Sequence, residues 1–180
     1  MKKEVIINDK KFIPYIPREE INKAVRNLAE DIDRDYEDKH PLFLVILKGA
    51  VFFATDLLRK LSIDGTLEMV RAQSYGSEMK SSGTVVLSDE NISFKGRDVI
   101  IVEDIVDTGL TLKTLMESIE KESPASVECA VLISKTEMRQ IDVRVKYTGI
   151  EIPDVFVVGY GLDYAEKGRF LPEIYGLSTG

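Results

Sequence analysis

The sequence predicts an α/β fold in which a largely parallel central sheet is flanked by helices. Short continuous apolar runs are typical of strands buried on both faces, and they alternate with helical patterns along the chain. The sequence also contains no long series of hairpins. Because crossovers place the carboxyl ends of parallel strands at one edge, we expect a ligand site at that edge.

The N-terminal part of the chain predicts a helix, a strand and a second helix. Apolar residues recur at helical spacing over residues 21–36, which indicates an amphipathic helix with Pro17 near its start. Residues 41–47 (PLFLVIL) form a continuous apolar run and predict a buried strand. A glycine turn at 48–49 then leads into the helical pattern of residues 50–61.

The middle of the chain predicts two strands with a loop between them. Residues 66–73 and 84–87 are rich in strand-forming residues. The intervening stretch 74–83 (SYGSEMKSSG) is polar, rich in Gly and Ser, and has no burial pattern. We expect it to be a mobile loop that begins with Ser74 and Tyr75.

The C-terminal half continues the alternation of strand and helix. Residues 99–102 predict a buried strand, and a helix follows from about Gly109 and ends before Pro124. Residues 126–134 (SVECAVLIS) predict a further buried strand, and residues 155–164 (VFVVGYGLDY) predict a last one.

Composition narrows the class of protein. A chain of 180 residues with 44% hydrophobic residues fits one domain over residues 1–180. The net charge of −7 argues against nucleic-acid binding, and no apolar run or N-terminal signal segment suggests a membrane. Cys129 is the single cysteine, so a disulfide framework is excluded and the cytoplasm is the expected compartment.

Residues 107–111 (DTGLT) have the features of a phosphate-binding turn. A helix N-terminus offers unpaired backbone N–H groups and a positive dipole end, and Gly109 allows close approach of the backbone. The hydroxyls of Thr108 and Thr111 add donors. Taken alone, the same residues favour the simpler interpretation of an ordinary capped helix.

Glu103 and Asp104 make the phosphate interpretation stronger. Two adjacent carboxylates at the end of an apolar strand repel each other unless hydroxyls or a cation compensate them. A sugar diol or Mg²⁺ would do so, although an exposed acidic loop is the simpler alternative. Next to a phosphate-type turn, the pair predicts a site for a phosphorylated sugar.

The strand with Glu103, Asp104 and residues 107–111 resembles the 5-phosphoribosyl diphosphate (PRPP) motif of the type I phosphoribosyltransferase family. The match is closest to the hypoxanthine-guanine branch and extends from about Val45 to Arg169. Further similar stretches are LKG (47–49), SY (74–75), SK (134–135) and FVVGYGLDY (156–164) with Arg169. The occurrence of all these stretches in the family's order makes the resemblance specific.

The resemblance implies a fold, an activity and partners. The fold is that of the family, with a small hood built from the N-terminal segment and the part after about residue 150. The activity is purine salvage: Mg²⁺-dependent transfer of phosphoribose from PRPP to N9 of hypoxanthine or guanine, which gives IMP or GMP and diphosphate. A homodimer or homotetramer is also implied.

The resemblance also assigns roles around the PRPP motif. Glu103 and Asp104 would hold the ribose hydroxyls and Mg²⁺. Asp107 would be the acid/base that handles the proton on purine N7. The 5′-phosphate would be bound by Asp107, Thr108, Gly109, Leu110 and Thr111.

Other matching residues would hold the base and the diphosphate. Lys135 would donate to the 6-oxo group, Phe156 would stack on the purine, and the Val157 backbone would meet the base edge. Asp163 would lie near the exocyclic purine group and a Mg²⁺. The diphosphate would be bound by Lys48, Gly49 and Arg169, after a cis peptide bond between Leu47 and Lys48.

Simpler alternatives exist for single residues. Lys135 could be a surface lysine, Phe156 could belong to the core, and Arg169 could pair with Glu166.

Other functions also remain open from the sequence. The main ones are a PRPP-binding regulator of nucleic acids, or a sister transferase for adenine, xanthine or orotate. A dinucleotide-binding protein has little support, because no GxGxxG follows a strand. A cationic Lys135 disfavours adenine, which presents a donor where 6-oxopurines present an acceptor.

Overall fold

The chain folds into two β-sheets and three α-helices within residues 4–75, 84–87, 92–138 and 141–178, the residues described by a computed structural model. In chain order, these elements are β1 (Val5–Ile7), β2 (Lys10–Ile16), α1 (Arg18–Asp35), β3 (Leu42–Leu47), α2 (Val51–Leu58), β4 (Thr66–Tyr75), β5 (Thr84–Leu87), β6 (Asp98–Val106), α3 (Leu110–Glu120), β7 (Ser126–Ser134), β8 (Tyr147–Glu151), β9 (Val157–Val158) and β10 (Ile174–Leu177).

The larger sheet has the strand order β5-β4-β3-β6-β7-β8. Its neighbouring strands are parallel except at one edge, where β5 pairs antiparallel with β4. The apolar runs form its centre: β3 is paired with β4 on one side and with β6 on the other. The predicted α/β fold with a largely parallel sheet is therefore confirmed.

Helices cover both faces of the larger sheet. Because successive side chains of a strand point to opposite faces, β3 contributes to two separate cores. Phe43 and Val45 pack with the apolar faces of α1 and α2, whereas Leu42 and Leu44 pack with α3. The two layers leave the carboxyl ends of the parallel strands uncovered by these helices, which is where β3 and β6 lead into α2 and α3.

The second sheet is antiparallel and has the order β1-β2-β10-β9. It takes its strands from the two ends of the chain, the segments assigned above to the hood. Its own core consists of Ile7, Phe12, Val158 and Tyr175. The sheet therefore holds β9, and the residues around it, against the side of the larger sheet that carries the site.

The structure corrects the expected boundaries of the last strand and of the loop. The predicted strand over residues 155–164 is short, because Gly159, Tyr160 and Gly161 have positive φ angles of 102°, 50° and 103° and turn the chain after β9. Ser74 and Tyr75 were expected in the mobile loop but are the last residues of β4, where they pair with β5. The rest of that loop, residues 76–83, lies outside the described residues.

Four strands were not predicted. β1 (VII) has only three residues, β2 (KKFIPYI) mixes apolar residues with lysines and a proline, and β10 (IYGL) has four residues including a glycine, so their pattern is weak. β8 (YTGIE) contains Gly149, whose missing Cβ leaves room for the Leu132 carbonyl. Strand β6 also extends beyond the predicted end, to Val106, so Glu103 and Asp104 lie within a strand.

The hydropathy of the described helices bears on the expectation of no membrane. Within the described part of the chain, we find no helix that combines the length and the apolar character needed to cross a bilayer.

Phe53 of α2 is fully buried against the larger sheet, so its removal tests the main core. We expect Phe53→Ala to lower the free energy of unfolding by about 3–5 kcal/mol, because the cavity adds to the lost burial. Phe170 is 88% exposed, so Phe170→Ala is the matched control and should change it by less than about 0.5 kcal/mol. Urea denaturation measures both, and equal effects would contradict this account of the core.

Candidate active site

Two adjoining cavities lie at the carboxyl edge of the parallel strands. The larger one has a volume of about 380 Å³ and the smaller one about 260 Å³. Both are lined by Asp104, Ile105, Asp107 and Asp163, so these residues separate two binding spaces. A substrate in one cavity would therefore lie beside a substrate in the other.

The turn from β3 to α2 forms one wall of the larger cavity. The peptide bond between Leu47 and Lys48 is cis, as the resemblance implied. Gly49 is required here by close packing, because a Cβ at this position would overlap the Asp104 carboxylate. A Cβ on Gly161 would likewise overlap the Gly49 carbonyl oxygen. The two glycines thus bring the β3 turn, the β6 carboxylates and the segment after β9 into direct contact.

Glu103 and Asp104 lie near the end of β6 and line the larger cavity. The Ile105 backbone N–H donates a hydrogen bond of 3.0 Å to Asp104 Oδ1. Burial raises the pKa of the Glu103 carboxyl well above its ordinary value, and the neighbouring Asp104 charge raises it further. Burial also raises the pKa of Asp104. Ionising both carboxyls is therefore unfavourable in the ligand-free site, and a bound cation would make it favourable.

Thr108, Gly109 and Thr111 line the same cavity at the start of α3. Gly109 has a φ of 83°, and a Cβ there would approach Val143 Cγ1 to 2.7 Å, so the turn favours glycine twice over. The Leu110 backbone N–H reaches Thr108 Oγ1 at 3.4 Å. Leu110 itself lies in the first turn of the helix. This helix N-terminus opens on the cavity and offers backbone donors to an anion.

The smaller cavity combines a buried cation with a half-exposed aromatic ring. Lys135 is only 6% exposed, and its Nζ lies 3.0 Å from Asp154 Oδ1 and 3.9 Å from Asp107 Oδ2. The alternative of a surface lysine is therefore wrong. Phe156 is 43% exposed, so it is not a core residue. Val157 and Asp163 complete the wall named in the sequence analysis.

A group of aromatic rings supports Phe156 from behind. Its ring centroid lies 6.1 Å from that of buried Phe12 and 5.8 Å from that of Tyr164, in an edge-to-face arrangement. The Tyr164 hydroxyl donates to Asp9 in the turn between β1 and β2. The N-terminal hairpin thus fixes the ring that faces the smaller cavity.

Arg169 is held at the rim of the larger cavity by several partners. Its Nη1 donates to the Gly161 carbonyl oxygen at 2.7 Å, and its Nη2 lies 2.8 Å from Asp163 and 3.5 Å from Glu166. The buried Nε has no hydrogen-bond partner among the described residues. The pair with Glu166, considered above as an alternative, is thus present together with the Asp163 pair.

Most residues named from the sequence come together at this edge. Those that line a cavity are Gly49, Glu103, Asp104, Asp107, Thr108, Gly109, Thr111, Lys135, Phe156, Val157, Asp163 and Arg169. Lys48 lies beside them and pairs with Glu166 at 3.0 Å. Ser74 and Tyr75 lie in β4, and the position of their side chains is not described.

Three further residues lie at the site, and of these only Glu166 was named individually from the sequence, as a possible partner of Arg169. Leu162 lines the smaller cavity, and Asp154 and Glu166 pair with the cations. Asp154 follows Pro153 in an ordinary loop sequence, and Glu166 lies in a charged turn. Only the folded geometry brings Asp154 to Lys135 and Glu166 to Lys48, whereas Glu166 and Arg169 lie three residues apart in the sequence.

The sequence is similar to proteins of one known family. A family model described as a phosphoribosyl transferase domain matches residues 17–165. The hypoxanthine-guanine phosphoribosyltransferase of Dictyostelium discoideum is 45% identical over 177 residues, which cover 96% of this chain and 93% of that protein. The protein of the same name from Aquifex aeolicus is 39% identical over 171 residues, which cover 94% of this chain and 96% of that one.

Solved structures agree with these matches. A hypoxanthine-guanine phosphoribosyltransferase of Bacillus anthracis has a TM-score of 0.85 and 38% identity, and the match covers 92% of this chain and 98% of that chain. A hypoxanthine phosphoribosyltransferase of Staphylococcus aureus has a TM-score of 0.87 and 35% identity, with 92% and 90% coverage. These matches confirm the resemblance, and the chain belongs to the phosphoribosyl transferase family, within its hypoxanthine-guanine branch.

Proposed function

We propose that this enzyme transfers the 5-phosphoribosyl group from PRPP to N9 of hypoxanthine or guanine, giving IMP or GMP and diphosphate. The observation that supports this most strongly is the pair of adjoining cavities that share Asp107. One holds a carboxylate pair beside a helix N-terminus, as a phosphorylated sugar requires, and the other holds a buried lysine beside an exposed ring.

The smaller cavity suits a 6-oxopurine. A half-exposed Phe156 offers a face on which a planar base can stack, and buried Lys135 offers donors to the 6-oxo oxygen. Adenine would present an amino donor to the lysine, and the buried charge would lose a partner. The preference for hypoxanthine and guanine over adenine therefore follows from the direction of one hydrogen bond, because Lys135 can donate one but cannot accept one.

The larger cavity suits PRPP with a divalent cation, which we propose is Mg²⁺. The donor set fits a hard cation, because Glu103 and Asp104 supply carboxylate oxygens and burial has raised the pKa of both. Among the described residues no cluster of three or more such ligands occurs, so substrate oxygens and water would complete the coordination. Bound Mg²⁺ would neutralise charge on the leaving diphosphate. Asp163 would contribute from the shared wall.

Asp107 is placed to manage the proton on purine N7. Its carboxyl is half-exposed, lines both cavities and faces Lys135 across 3.9 Å. In the transfer, N9 bonds to ribose C1′ as the bond from C1′ to the diphosphate breaks, and the purine must lose a proton. A carboxylate between base and sugar can accept it, while the Lys48 backbone and Arg169 would stabilise the departing diphosphate.

We further propose a cytoplasmic homodimer or homotetramer. The support for association is the outer part of β4, where Leu67 and Met69 are both exposed although they continue the apolar face of the sheet. Large apolar side chains left uncovered in this way are typical of a surface that a partner subunit buries. The lone, buried Cys129 fits a reducing compartment.

The proposed activity is tested by initial rates with PRPP, Mg²⁺ and each of hypoxanthine, guanine, xanthine and adenine. We expect nucleotide to form from hypoxanthine and guanine, and adenine to be inert because Lys135 cannot accept from its amino group. Ultraviolet difference spectra follow the reaction. If only xanthine is converted, the protein is a xanthine-specific transferase. If none of the four bases is converted, the proposal is contradicted.

The role of Asp107 is tested by Asp107→Asn. We expect turnover to fall about 10²-fold or more, because an amide cannot accept the N7 proton and general acid–base groups are typically worth 10²–10⁴. The rise in melting temperature caused by PRPP and Mg²⁺ should persist. Asp64→Asn is the control. The Asp64 side chain is 93% exposed and lines neither cavity of the site, so this variant should keep wild-type turnover. An unimpaired Asp107→Asn variant would remove Asp107 from the mechanism.

The strain at the carboxylate pair is tested by Glu103→Gln in the ligand-free protein. Since the folded state raises the pKa of Glu103, its charge destabilises the fold once the pH rises through that raised value. The melting temperature of the variant should therefore exceed that of wild type by about 2 °C or more at neutral pH, with the difference disappearing near pH 4.

The control for this measurement is Glu117→Gln, at an exposed position of α3. Its melting temperature should follow that of wild type at every pH. The stabilised Glu103→Gln variant should also gain less from PRPP with Mg²⁺ than wild type does, because it has lost a ligand carboxylate. A pH-independent difference would contradict the assignment of strain to the Glu103 charge.

A further inference from the structure

Glu166 lies between the side chains of Lys48 and Arg169, two residues that the proposed function assigns to the diphosphate. Its Oε2 is 3.0 Å from Lys48 Nζ and 3.5 Å from Arg169 Nη2. Lys48 comes from the turn after β3 and Arg169 from the segment after β9, so a single carboxylate joins two parts of the chain 118 residues apart. The carboxylate thus bridges the two cations beside the larger cavity, whose lining includes Arg169 and the neighbours of Lys48, Leu47 and Gly49.

We propose that Glu166 is a positioning residue that holds Lys48 and Arg169 in the ligand-free enzyme and is exchanged for the diphosphate when substrate or product binds. This inference rests on the proposed function and adds a residue that sets how tightly the diphosphate is held. The carboxylate and a diphosphate oxygen are both anions that accept from the same ammonium and guanidinium groups, so they compete.

The backbone around Glu166 fixes its position independently of its charge. Its φ is 64°, and its N–H donates a 2.7 Å hydrogen bond to Asp163 Oδ2. The side chain is nevertheless 66% exposed, so it can swing into solvent when an anion replaces it. A fixed backbone with a free side chain is what an exchangeable contact requires.

The electrostatics of the side chain agree with this arrangement. The hydrogen bond and charge of Lys48, followed by the charge of Arg169, lower the pKa of Glu166, so it stays ionised at neutral pH. Arg169 keeps two other partners, the Gly161 carbonyl oxygen and Asp163, when Glu166 leaves. Lys48 has Glu166 as the partner at 3.0 Å, so its position depends most on the exchange.

The proposal predicts the direction in which the affinity for diphosphate changes. Removing the charge of Glu166 removes a competitor for the cations, so diphosphate should bind more tightly and leave more slowly. A residue with only a structural role would give the opposite result, since its loss would disorder the cations and weaken binding. Binding of inorganic diphosphate therefore separates the two roles.

The experiment is titration calorimetry of inorganic diphosphate, in the presence of Mg²⁺, with wild type, Glu166→Gln and the charge-matched control Glu117→Gln. We expect Glu166→Gln to bind diphosphate about two- to tenfold more tightly, the range expected when two exposed ion pairs no longer compete. The control should match wild type. The gain should shrink as salt is raised, because exposed charges are screened.

A second variant tests whether Glu166 affects diphosphate binding through Lys48. In Lys48→Gln, which removes the main partner, the additional change Glu166→Gln should have less effect on diphosphate binding than it has in wild type. Unchanged or weaker binding by Glu166→Gln in the wild-type background would overturn the inference while leaving the proposed function intact. A wild-type protein that binds no diphosphate would overturn both.

Discussion

The repulsion between Glu103 and Asp104 near the end of β6 is the constraint on which the rest of the site depends. Burial and mutual repulsion raise the pKa of Glu103, so the empty site holds negative charge at a cost. This repulsion destabilises the ligand-free protein. A bound cation removes the repulsion, so its relief contributes to the free energy of binding. The stability of the free protein and its affinity for a cation with a sugar diphosphate are therefore coupled.

Close packing of backbone decides where that negative charge lies. Asp104 occupies the space that a side chain at Gly49 would fill, and the Gly49 carbonyl oxygen occupies the space that a side chain at Gly161 would fill. The chain thus stacks the β6 carboxylate, the β3 turn and the segment after β9 without intervening side chains. This stacking brings Arg169 close enough to Asp104 for its charge to counteract in part the rise in the Asp104 pKa that burial causes, although the two residues come from distant parts of the sequence.

The sequence predicted the parts of the molecule that carry strong local signals. Continuous apolar runs predicted β3, β6 and β7, and the glycine turns located the site at their carboxyl ends. The second sheet was predicted only in part. β9 lies within the predicted strand over residues 155–164, whereas β1, β2 and β10 were not predicted, and β2 (KKFIPYI) mixes lysines and a proline with its apolar residues. Such strands are stabilised by tertiary pairing rather than by their own pattern.

The site shows the same division between local and tertiary information. Glu103, Asp104 and Asp107 are adjacent in sequence, so their pattern could be recognised. The pairs of Asp154 with Lys135 and of Glu166 with Lys48 could not, because they join residues 19 and 118 positions apart. Only the pair of Glu166 with Arg169, which lie three residues apart, was considered from the sequence. The cis peptide at Leu47 also has no signature in residue identity.

The pairing of the cations changes how affinity at this site should be understood. In the ligand-free protein Lys135 faces Asp154 and Asp107, Arg169 faces Asp163 and Glu166, and Lys48 faces Glu166. The distances between these charged groups run from 2.8 to 3.9 Å. Each of these three cations therefore already has an ionic partner before substrate binds.

Binding is therefore an exchange of ionic partners, and only the difference between the two sets of contacts contributes to affinity. An exchange of this kind holds charged side chains in place before substrate arrives and also limits how strongly they retain product. For a reaction that releases a highly charged diphosphate, that limit allows the same cations to stabilise the leaving group and then to let it go.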